Sequence, residues 1–222
     1  PDLDIARSWV ACTQEFVSVY KLGLEFFLTF GHEGVRAIKS ETDSDIFLDL
    51  KLHDIPHTVK GAASAIGSLQ PKFLTVHASG GASMIEAAAL AVPQTHVTAV
   101  TILTSLSEDD LSEIGFATPA LESAVALSIM AVNSGAKAIV CSPLEVAAIR
   151  SAVGNAPRII TPGVRPISEA GNDDQKRTMT PRAAIEAGAN YVVIGRPITN
   201  AWVQGQNAMA EKARAIADEI LQ

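Results

Sequence analysis

Apolar residues along this chain fall into two alternating kinds of run. Short runs rich in β-branched residues, at 17–20, 46–50, 73–76, 97–102, 138–141, 159–161 and 191–194, carry apolar side chains on consecutive positions. Between them lie longer stretches with apolar positions at helical spacing, among them 58–69, 82–91, 121–133, 144–153, 181–187 and 208–221. Strand-then-helix alternation predicts parallel βα units. Unbroken apolarity within each short run predicts strands buried on both sides, as a parallel sheet covered by helices requires.

Seven strands, starting about 29 residues apart on average, predict a (β/α)8 TIM barrel that is one strand short. The chain opens with an amphipathic stretch running through Phe16, which reads as a helix that should itself follow a strand. The expectation is therefore a barrel whose first strand is missing from the given sequence, and the lack of an initiator Met agrees with it. An open doubly wound sheet is the competing arrangement of the same units. No low-complexity linker divides the chain, so residues 1–222 are expected to form a single barrel domain.

Composition narrows the partners. With 222 residues, 48% of them hydrophobic, there is ample material for a core. The net charge of −7 and an aromatic content of 5% argue against a nucleic-acid partner, which needs a basic field or stacking platforms. The longest apolar runs, such as 87–92, fall far short of the roughly 20 residues of a membrane span. No charged-then-apolar leader opens the chain, so a cytoplasmic location with no membrane partner is expected. Cys12 and Cys141 form no CxxC motif and are expected to be buried thiols.

In a barrel, chemistry sits at the carboxyl ends of the strands. The 46–50 strand, third in the barrel once the missing first strand is counted, ends in Asp49-Leu50-Lys51-Leu52-His53-Asp54-Ile55-Pro56-His57-Thr58. Strand alternation puts Asp49 and Lys51 on one face, aimed at the barrel mouth, while Lys21 ends the strand before. Two lysines and two aspartates at neighbouring strand ends would hold one another ionised. The same segment offers His53 and His57 as metal donors, but Lys51 would sit where the cation must go. A structural ion pair at the rim is the plainer alternative.

The last two strands end in Thr161-Pro162-Gly163-Val164-Arg165 and Gly195-Arg196-Pro197. These are the positions where barrels build phosphate cradles from backbone N–H groups and a helix N-terminus, so a phosphorylated small molecule is the expected ligand. Ordinary turn chemistry is the alternative. His77-Ala78-Ser79-Gly80-Gly81 and Leu103-Thr104-Ser105 end two further strands; the hydroxyls of Thr104 and Ser105 either meet ligand or cap the next helix. The polar loop 169–177 reads as a solvated loop or a lid.

Taken in order, Lys21-Leu22-Gly23, the Asp49 to Pro56 segment, His77 to Gly81, Leu103-Thr104-Ser105, Thr161 to Pro166, Gln175 and Ile194 to Pro197 resemble the orotidine 5′-phosphate decarboxylase family. The Asp-x-Lys-x-x-Asp element alone is shared with sugar-phosphate enzymes of the same barrel suprafamily. What the resemblance implies is a metal-free decarboxylase with no cofactor that makes UMP, with two sites completed across a homodimer. It implies that Lys21 and Asp49 flank the reacting region, that Lys51 donates the proton, and that Asp54 and Thr58 reach in from the partner subunit. Thr104 would contact the base, Gln175 would bridge base and phosphate, and Arg165, Gly195 and Arg196 would hold the phosphate. Two departures stand out: His57 replaces the family's usual Asn, and the strand that carries a ribose-binding Asp is the missing one. A magnesium-dependent decarboxylase or aldolase acting on a sugar phosphate, and a non-catalytic nucleotide-binding barrel, are the alternatives.

Overall fold

In the computed structural model, which describes residues 2–165 and 179–221, the Asp2 carboxylate accepts from the Ile5 N–H and caps helix α1 (Leu3–Thr13). Strands and helices then alternate: β1 (Val19–Gly23), α2 (Leu24–Lys39), β2 (Asp45–Leu52), α3 (Pro56–Gly67), β3 (Phe73–His77), α4 (Ala82–Ala91), β4 (His96–Val100), α5 (Glu108–Glu113) and α6 (Ala120–Asn133). The second half continues with β5 (Ala138–Val140), α7 (Val146–Val153), β6 (Arg158–Thr161), α8 (Pro181–Glu186), β7 (Tyr191–Val192), α9 (Arg196–Thr199) and α10 (Gln206–Leu221).

The seven strands form one sheet in the order β1 to β7, every neighbouring pair parallel. That order excludes the doubly wound alternative, whose strand order reverses at a switch point. Alternate side chains part the core in two. Ile46, Leu48, Leu74, Val76, Val97, Ala99, Ile139 and Ile159 face the helices in the larger cluster. Phe47, Phe73, Ala138 and Ile160, with Val19, Val140, Tyr191 and Val193 against them, fill the concave side. Phe73 on β3 meets Tyr191 on β7 at a ring-centroid distance of 5.3 Å, so the sheet curls until strands four places apart touch. Each of the larger fully buried side chains contributes about 1.5–3 kcal/mol through removal from water. The result is a curled (β/α) barrel, the architecture the periodicity predicts.

Several boundaries move from their expected places. The N–H groups of Phe16 and Val17 both donate to the Thr13 carbonyl, a turn that delays β1 to Val19, and pairing with β2 carries that strand on to Gly23. β2 outruns its apolar core and continues through Lys51 to Leu52. Here its register with β3 slips: Leu48 pairs with Leu74 but Leu52 with Val76, so four steps along β2 span two along β3. Lys51 sits within this irregularity at φ +50°, a left-handed conformation that L residues rarely adopt. Cys141 is buried as expected, whereas Cys12, on the accessible side of α1, is only partly covered.

Candidate active site

β1, β2 and β3 bring their inward-facing polar residues together at the carboxyl end of the sheet. Asp49 is the centre, its side chain only 13% exposed. Lys21 Nζ lies 3.1 Å from Oδ2, and Lys51 Nζ donates to Oδ1 at 2.8 Å. Burial alone would raise the Asp49 carboxyl, but the two ammonium groups outweigh it and hold the group below its ordinary value. Both carboxylate oxygens thus have an ammonium partner. One acid between two bases is a charge array with an excess positive charge, facing the mouth.

A neighbour that periodicity does not single out completes it. The Thr75 hydroxyl donates to Asp49 Oδ1 at 3.1 Å and accepts from the Lys51 N–H at 2.8 Å, and the residue is fully buried. Its one sequence signal is a hydroxyl in phase with His77 within an apolar strand. His77 closes β3, its ring 5.4 Å from that of His53. Burial, then His53 and Lys51, push the His77 imidazole below its ordinary value. Gly80 follows in a tight turn; a Cβ there would stand 2.2 Å from Met84 Sδ and 3.2 Å from His53 Cδ2, so a larger residue would require the Met84 side chain to move aside.

Other expected site residues stand apart from this cluster. Asp54 is exposed and its carboxylate accepts from the Ile55 N–H, while Thr58 is exposed on the first turn of α3. Thr104 is half-buried beyond β4. It does not cap α5, and neither does Ser105: Ser107 does, in a capping box with Asp110. Arg165 is buried at the end of β6, donating to the Val164 carbonyl, and its own N–H donates to Met179. Gly195 precedes α9, and Arg196 opens that helix, lining a groove of about 600 Å³ with Asn200, Gln204 and Glu211. Gln175 and the loop 169–177 lie outside the described residues.

The sequence model described as the Orotidine 5'-phosphate decarboxylase / HUMPS family matches residues 1–211. The chain belongs to this family. Within it, the chain is similar to orotidine 5'-phosphate decarboxylase of Thermobifida fusca (strain YX), 49% identical over 210 residues, 95% of this chain and 90% of that protein. It is 44% identical to the enzyme of that name from Frankia casuarinae over 228 residues, 95% of this chain and 82% of that one. Among solved structures it is similar to orotidine 5'-phosphate decarboxylase from Lactobacillus acidophilus, with TM-score 0.78 and 36% identity over 91% of this chain and 86% of that one. The Pyrococcus horikoshii OT3 structure, at 23% identity and TM-score 0.80 over 100% of this chain and 95% of that one, shares the fold. Family membership and the observed sheet order together make the architecture that of the (β/α)8 barrel. No helix among the described residues is long and apolar enough to cross a membrane.

Proposed function

We propose that this chain is an orotidine 5′-phosphate decarboxylase, a carboxy-lyase that converts orotidine 5′-phosphate to UMP in pyrimidine biosynthesis. The observation that carries the reading is Asp49 held between Lys21 and Lys51 at the barrel mouth in a chain of this family. Loss of CO₂ from C6 leaves a carbanion in the ring plane with little conjugation to spread its charge. The Lys51 ammonium stabilises that charge more than it stabilises the substrate, then delivers a proton to C6. Asp49 fixes the two lysines and sets a negative charge near the departing carboxylate.

Binding of the remote phosphate by Arg165, Gly195 and Arg196 supplies energy that orders the array, with Gln175 bridging to the base and Thr104 contacting it. Asp54 and Thr58 act on the site of a partner subunit in a homodimer. In support, both are exposed beside Ile55, itself 64% exposed, and Leu28, after β1, is 80% exposed, apolar surface a partner would cover. The proposed location is cytoplasmic. The test is the loss of ultraviolet absorbance on mixing the protein with orotidine 5′-phosphate in EDTA. Turnover that persists in chelator is the expected result. Turnover restored only by added magnesium would favour sugar-phosphate chemistry, and none under either condition would favour a binding barrel.

A further inference from the structure

We infer that Thr75 is a positioning residue for the proton donor, an assignment that rests on the decarboxylase reading of the same site. Three observations converge on it. The β2 and β3 register slips by two residues between Leu48 and Leu52, so Lys51 lies where the regular ladder is interrupted. Lys51 is at φ +50°, which turns its N–H out of the extended direction. Thr75, fully buried, accepts a hydrogen bond from that N–H on its hydroxyl at 2.8 Å and donates one to Asp49 Oδ1 at 3.1 Å.

A hydroxyl has one proton to give and lone pairs to receive, and both capacities are used here. The backbone of Lys51 is thereby tied to the carboxylate that its own Nζ meets at 2.8 Å. Backbone, hydroxyl, carboxylate and ammonium make a closed ring, and the left-handed turn at Lys51 is held in place by a side chain instead of a strand partner. Without the hydroxyl the turn has lost its tether, and the ammonium is free to shift relative to the reacting carbon. The residues proposed to hold the phosphate, Arg165 beyond β6 and Gly195 and Arg196 at the start of α9, are untouched by this change.

Thr75→Val keeps shape and strand preference and removes both bonds. It is expected to lower kcat about 10- to 100-fold, the cost of a misplacement of roughly an ångström, with KM and UMP affinity within about twofold of the parent. Thr75→Ser restores the hydroxyl and is expected to return kcat to within about threefold of the parent, a rescue that a merely space-filling role would not produce. Should the valine variant not fold, Thr75→Cys, with its weak donor, carries the same test and is expected to give an intermediate kcat. Parental kcat in valine or cysteine variants, a serine variant as poor as they are, or a change confined to KM overturns the assignment. If the parent protein itself leaves orotidine 5′-phosphate unchanged, the decarboxylase reading is what has failed. The Thr75 contact is then judged by a crystal structure of Thr75→Val, in which a Lys51 still left-handed and still on Asp49 refutes it.

Discussion

Strand β2 carries carboxylates toward both ends of the barrel, Asp45 at its amino end and Asp49 near its carboxyl end. Asp45 has one base, Lys72, whose ammonium also stands 5.8 Å from the centre of the Phe73 ring and 5.9 Å from that of Tyr191. The hydrogen bond to Asp45 raises the Lys72 ammonium, and both partners remain substantially solvated. That pair is balanced and half-solvated, a rim contact of modest worth. Asp49 is more deeply buried and has two bases, so a positive charge is left over. The lesson is one of local stoichiometry: the Asp45–Lys72 pair is balanced, while the Asp49 cluster keeps an ammonium in excess and so favours an anion at the mouth.

The sharpest way to break this contrast is Lys51→Ala. It should lower turnover by about 10³-fold or more, since it removes the ammonium that stabilises the charge developing on C6 and protonates it. UMP should still bind, as a titration would reveal; near-parental turnover would end the assignment. Next in size is Arg196→Ala, expected to raise KM for the phosphorylated substrate roughly 10- to 100-fold, the loss of a charged hydrogen bond, with a smaller effect on kcat. An unchanged KM would remove Arg196 from the cradle. Smallest is Lys72→Met in the balanced pair, which should cost at most about 1 kcal/mol, or roughly 2–4 °C in Tm, and leave kcat and KM as they were. A marked fall in kcat there would mean that the two ends are coupled and the contrast is false.

The barrel was legible because burial on both sides writes itself as unbroken apolar runs, and because helix and strand alternate with a steady period. Asp49 and Lys51 were legible for a related reason: charges at the end of such a run have no place in a core. Thr75 was not, since threonine is an ordinary strand former and its value here comes from a register slip that only the pairing of two strands creates. For Thr104 and Ser105 the sequence left ligand contact and capping open, and the structure removes capping, because the backbone takes up the helix only at Ser107. Cys12 was expected buried because no motif gave it a partner, but a helix packed on one side leaves part of its flank uncovered.

The chain's two tryptophans have a practical consequence. Trp9 on α1 and Trp202, in the turn that follows α9, meet edge to face with ring centroids 6.4 Å apart. All of the protein's indole emission therefore arises from a single locus, in contact with the segment that Arg196 opens. A phosphorylated ligand that draws on that segment will alter the emission without any label, so binding can be followed by light on the untouched protein while turnover is followed separately.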